Sequence, residues 1–187
     1  GAEKKGGLPR WLLIVGVIAL ALCLLGACVV GCMVFLAGGG EEEEISTAGE
    51  VLFADDFSDP DSGWDVYADD EVEKDYQNGR FVIKVFAEDM LTWSNANRSF
   101  DDFVLKVDAT QVAGPDDNAY GVFFRYQDEY NFYQFAISGD GYFMVSKWVD
   151  DELTFLHDWE ESSAIRQGQA TNRLTVECRG SNMRFFI

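Results

Sequence analysis

The stretch YGVFFRYQDEYNFYQFAISGDGYF, residues 120–143, holds ten of the chain's 27 aromatic residues in 24 positions. Two runs with alternating faces, 122–126 and 132–137, precede "SGDGY" (138–142), a hairpin signal because Gly tolerates positive φ. In the first run Val122, Phe124 and Tyr126 share one face, opposite Phe123 and Arg125. In the second, Tyr133, Phe135 and Ile137 oppose Phe132, Gln134 and Ala136. The faces carrying Val122, Phe124, Phe135 and Ile137 are the more apolar and are expected to pack between two sheets. Arg125 and Gln134 are then expected side by side on the other surface. Most of the rings are therefore core, since burying each removes roughly 150–250 Å² from water.

The same period of two recurs outward from this stretch. "RFVIKVFA" (80–87) sets Phe81, Ile83 and Val85 against Lys84. "FVLKVDA" (103–109) sets Phe103, Leu105, Val107 and Ala109 against Lys106 and Asp108. "NRLTVECRG" (172–180) alternates Leu174, Val176 and Cys178 with Arg173, Thr175 and Glu177. Each reads as a half-buried strand. "QNGR" (77–80) is a second hairpin signal, and "DPDSG" (59–63) is a turn whose φ is set by Pro60. Helical periodicity of useful length is missing after residue 50, and "ESSAIRQG" (161–168) amounts to a brief helical turn at most. About ten to twelve strands over residues 51–187 predict an all-β, two-sheet antiparallel sandwich.

The amino-terminal part has a different character. Residues 1–10 (GAEKKGGLPR) are basic, and residues 11–37 carry no charge. Twenty-seven such residues make a helix of about 40 Å, longer than the roughly 30 Å hydrocarbon core. A transmembrane α-helix is expected there, with the lipid bilayer as partner and Trp11 as its interfacial anchor. Lys4, Lys5 and Arg10 favour a cytoplasmic amino terminus, leaving the later residues outside the cell membrane. A competing expectation is lipid anchoring at Cys28 ("LGAC") or Cys32 ("VVGC"); either way the outer part stays tethered. A cleaved signal peptide is excluded because its apolar core spans only about 7–15 residues. Small residues at Ala19, Cys23, Ala27 and Gly31 form a stripe that suits a weak helix-mediated homodimer. Residues 38–50 (GGGEEEEISTAGE) read as a flexible acidic linker, and the β-domain as 51–187.

Charge and cysteine usage exclude whole classes. Residues 45–187 carry 28 acidic and 11 basic side chains, a net of −17, which excludes nucleic acid as a partner. Cys178 is the sole cysteine of that region, so no disulfide forms within it, and no Cys/His spacing suits zinc.

The order of motifs carries a resemblance. "LFADDFSDPDSGW" leads to "YQNGRFVIKV", "FDDFVLKVDATQVAG", "AYGVFFRYQDEYNFYQFAISGDGYFMVSKW" and "NRLTVECRGSNMRFFI". Over residues 51–187 this resembles the concanavalin A-like lectin/glucanase superfamily, in its branch of extracytoplasmic domains related to 3-keto-disaccharide hydrolases. The resemblance implies a jelly roll of two curved sheets, with carbohydrate often bound on the concave face. It also implies a further hairpin and a closing strand after "MRFFI", so an edge strand is expected beyond Ile187.

Candidate site residues follow from both readings. Phe123, Arg125 and Gln134, with Trp93 ("LTWSNAN") and Trp148 ("SKWVDD"), are the expected ligand contacts, a sugar stacking on rings and bonding through its hydroxyls. Trp64 is expected as a core plug, and Trp159 is a further tryptophan of the same set. The acid–base run of related glucanases, Glu-x-Asp-x-x-Glu, is missing. "HDWEES" offers Asp158 and Glu160 as the nearest pair of carboxylates, beside the single histidine, His157. Asp55, Asp56, Asp59 and Asp61, and separately Asp116 and Asp117, are candidate ligands for Ca²⁺, although aspartates are ordinary turn residues. "NRS" (97–99) fits a glycosylation acceptor. The reading is a membrane-anchored binding or sensing module of the bacterial cell envelope that recognises a carbohydrate. A glycoside-processing enzyme and a purely structural receptor ectodomain are the alternatives.

Overall fold

The structure, a computed structural model, describes residues 49–187. The expected basic segment, membrane helix, acylation cysteines, small-residue stripe and nearly all of the acidic linker lie outside those residues. Among the described residues there is no helix, and so none long and apolar enough to cross a membrane. Ten strands, all paired antiparallel, make three sheets.

Strands β5 (Ala119–Asp128), β6 (Asn131–Ser138), β7 (Tyr142–Val149) and β8 (Glu152–Glu161) form a sheet in chain order, each turning directly into the next. This is the arrangement that alternating runs split by turns of two or three residues must give. Strands β4 (Phe103–Ala109), β9 (Asn172–Arg179) and β10 (Asn182–Phe186) form a second sheet, with β9 central. The two sheets share one core. Phe124, Phe135, Ile137 and Val145 of the first meet Leu174, Val176 and Cys178 of the second. Phe185 of β10 lies 5.2 Å from the Phe135 ring and 5.9 Å from the Phe124 ring, across the sandwich. The sandwich-like, all-β architecture thus matches the strand alternation, and the apolar faces assigned to 122–124 and 133–137 are the ones that pack into this core. Ile165, carried by the turn between β8 and β9, joins the same core.

The third sheet comprises β1 (Tyr67–Ala68), β2 (Val72–Tyr76) and β3 (Phe81–Val85). Asn78 and Gly79 turn β2 into β3 with φ of 55° and 70°, the left-handed pair that the Asn-Gly signal supplies cheaply. Phe53, Phe57 and Trp64 fold onto Tyr76 and Phe81 as a separate aromatic cluster. Trp64 sits in its middle and donates its indole N–H to Asp55 Oδ2 at 2.8 Å. Ile83 and Val85 share a face as the alternation requires, yet both remain exposed.

Candidate functional site

The sheet β5–β8 has a second face, turned away from the core, and its registers define it. Phe123 pairs with Gln134, Gln134 with Ser146, and Ser146 with Phe155, so one row crosses all four strands. The neighbouring row runs Phe132, Trp148, Leu153. Because paired residues of antiparallel strands point to the same side, these residues share one surface. Phe132 stacks on Phe123 at 4.5 Å and on Trp148 at 5.8 Å between centroids. Trp93, from the segment between β3 and β4, closes over Phe123 at 5.4 Å and Phe132 at 5.8 Å. Lys74 holds that segment by donating to the Trp93 carbonyl at 2.8 Å.

Four of the five expected contacts, Trp93, Phe123, Gln134 and Trp148, therefore come together. The fifth does not. Between Phe124 and Asp128, β5 uses four steps where β6 uses two, and Arg125 takes φ of 49°. The left-handed backbone at Arg125 breaks the alternation locally, and because β5 carries two extra residues its parity is restored by Asp128, so only the side chains within the irregularity are displaced. Arg125 swings to the β9–β10 turn and donates from Nη2 to the Gly180 carbonyl. Tyr126, expected in the core, instead faces Trp93 and Phe132, with centroids 6.1 and 6.2 Å away. The expectation that Arg125 and Gln134 point together is corrected on that ground.

Access divides the face. Gln134 is 7% exposed and Ser146 not at all; the Ser146 hydroxyl donates to Gln134 Oε1 at a long 3.4 Å. The Trp148 indole N–H is also buried and has no partner. These groups make a floor. Leu153 and Phe155, on the edge strand, are 44% and 43% exposed and continue the floor to solvent. Trp93, Phe123, Tyr126 and Trp148 are half-buried and present their margins. Neither Leu153 nor Phe155 stands out in the sequence; their signal is only their register opposite Trp148 and Ser146. At the same end lie the β5–β6 and β7–β8 turns, joined by the Asp150 N–H donating to Asn131 Oδ1 at 3.2 Å. Exposed Asp128, Asp150, Asp151 and Glu152 put carboxylates beside the open apolar strip.

The remaining candidates are placed elsewhere. Glu160 lies 3.1 Å from His157 Nε2, and the His157 ring stacks on Phe143 at 4.7 Å. Asp158 Oδ1 accepts the N–H of Trp159, so this carboxylate is turned to its own backbone. Two register shifts in β8 run through this region, and Asp158 and Glu160 do not simply alternate on one face as expected. Asp55 accepts the N–H of Phe57, the Ser62 hydroxyl and the Trp64 indole. Burial raises its pKa, but the hydrogen bonds from Ser62, Phe57 and Trp64 outweigh that and hold the carboxyl below its ordinary range. Asp56 and Asp59 accept the N–H groups of Ser58 and Asp61, as aspartates in turns do. Among the described residues no three His, Cys, Asp or Glu side chains are placed to hold a metal ion. The four aspartates proposed for Ca²⁺ do not converge on one point.

No family model, curated protein or solved structure matches the chain.

Proposed function

We propose that the chain is a membrane-anchored, extracytoplasmic binding module, a lectin-like jelly roll that recognises a glycan on the aromatic face of β5–β8. One observation carries the reading. The sheet bears rings on both sides, and the second side, where Phe132, Ala136 and Met144 are buried, lies outside the core shared with β4, β9 and β10. A core-only sheet of an antiparallel sandwich carries polar residues outward. Here the outward rows end in half-buried Trp148 and in exposed Leu153 and Phe155, with exposed carboxylates in the neighbouring turns. Apolar C–H faces of a pyranose stack on such rings, and its hydroxyls donate to carboxylates at the rim. Asp150 and Asp151, exposed in the β7–β8 turn, are the proposed acceptors, whereas Asp128 Oδ1 accepts from the Tyr130 N–H and the Asn131 side-chain amide. Residues 11–37 supply the bilayer anchor in this reading, and residues 38–50 the spacer.

The test is a glycan array probed with the full chain, followed by calorimetry on any hit. Trp148→Ala and Phe155→Ala should each weaken binding by about ten-fold or more, the range seen when an aromatic anchor is truncated. Trp148→Phe, which keeps a stacking ring, should retain most of the affinity. Binding that ignores all three changes, or an array without hits, would sink the proposal.

A further inference from the structure

Strand β8 is bonded on one side only, to β7, and is the edge of its sheet. Every residue from Asp150 to Asp158 is exposed, including Leu153, Phe155 and Leu156. Its register with β7 is regular from Glu152 to Phe155 and shifts only beyond that point. A regular, exposed edge offers unpaired N–H and C=O groups, and apolar side chains there invite another strand. Lysine and proline, two common defences of an edge, are both missing over Glu152–Leu156, and the register shifts begin only after Phe155.

Charge decides what kind of strand fits. Asp150, Asp151 and Glu152 precede the apolar stretch, and Asp158, Glu160 and Glu161 follow it, while one cation, Lys147 of β7, stands opposite Thr154. A second copy paired antiparallel would set one acidic cluster against the other across the new ladder. Like charges directly opposite one another are destabilising. A strand with cations at those positions would instead meet carboxylates at both ends.

We infer that the outer edge of β8, over Glu152–Leu156, receives an extended peptide segment that alternates apolar and basic side chains. The apolar side chains of the incoming strand extend the row of Leu153 and Phe155. Its basic ones lie beside Glu152 and the flanking carboxylates. Main-chain hydrogen bonds along the edge supply the affinity, and the charges select the partner. This inference goes beyond the glycan reading, and its readout lies in the β8 backbone where the glycan test does not look.

The experiment uses the full chain and a short fluorescent peptide alternating valine with lysine, with a valine–glutamate peptide of equal length beside it. The lysine peptide should bind, and the amides of Glu152–Leu156 should exchange with deuterium more slowly in its presence. Leu153→Lys with Phe155→Lys, at two exposed positions, should weaken it by about ten-fold or more. Equal binding of the glutamate peptide would overturn the inference. So would lysine-peptide binding without protection of those amides, which would mark a diffuse charge effect. Concentration-dependent dimerisation that protects the same amides without peptide would assign the edge to a second copy and overturn it as well.

Discussion

At Arg125 a single residue sets where two others can act. Its φ of 49° lies in the left-handed region, which costs an ordinary L-residue roughly 1–2 kcal/mol. Its guanidinium recovers part of that cost by donating to the Gly180 carbonyl, the tip of a hairpin in the facing sheet. The local break it creates sends Tyr126 to join Trp93 on the aromatic face. Two substitutions separate the terms. Arg125→Ala removes the guanidinium and keeps the strained backbone, whereas Arg125→Gly removes both the guanidinium and the strain. The glycine variant should be the more stable of the two by about 1 kcal/mol, measured by urea unfolding. Equal stabilities would mean that the backbone at this position relaxes freely, and the left-handed assignment would fail.

At the scale of elements, the hairpins were legible because their turn residues announce themselves. Asn78-Gly79 and Gly141 take positive φ at little cost, and the strands beside them alternate as period two demands. The turn between β7 and β8 is less obvious. Asp150 and Asp151 both take positive φ, 52° and 67°, in a two-residue loop closed by Val149 opposite Glu152. Aspartate tolerates this conformation less well than glycine. Asp150→Asn with Asp151→Gly should therefore raise the unfolding free energy by about 1 kcal/mol. A drop instead would show that the two carboxylates contribute more than their backbone strain costs. The irregularity in β5 had no comparable signal. No Gly or Asn marks it, and its partner, the Gly180 carbonyl, is more than fifty residues away in the chain. Alternation extrapolated past Phe124 therefore assigned Tyr126 and Arg125 to the wrong faces. The closing of Trp93 over Phe123 and Phe132 was likewise illegible, because it depends on a long connection held by Lys74.

Over the whole molecule, two sets of carboxylates act in opposing ways as pH changes. Residues 45–187 carry a net of −17, so unpaired carboxylates repel one another near neutral pH, and partial protonation relieves that repulsion. A smaller set is paired in the folded state. The Arg179 guanidinium, and next to it that of Arg184, hold Glu177 below the usual carboxylate range, with Glu177 only 4% exposed on the central strand β9. The Arg173 guanidinium does the same for Asp108, and the Lys84 ammonium for Glu73, both more exposed and more open to screening. A carboxyl whose folded pKa lies below its unfolded one stabilises the fold at pH values above the unfolded pKa. That contribution is lost as pH falls through the ordinary carboxylate range toward the lowered folded pKa. The two groups of carboxylates thus predict a melting temperature that changes little, or rises, on mild acidification. It then falls below the ordinary carboxylate range as the paired groups titrate. Salt at about 0.1 M, with a screening length of about 10 Å, should raise the melting temperature at neutral pH by weakening the repulsion. Glu177→Gln with Asp108→Asn should lower stability at neutral pH and flatten the acid limb. If the variant and the parent lose stability in parallel as pH falls, these two pairs do not set the acid limit of the fold.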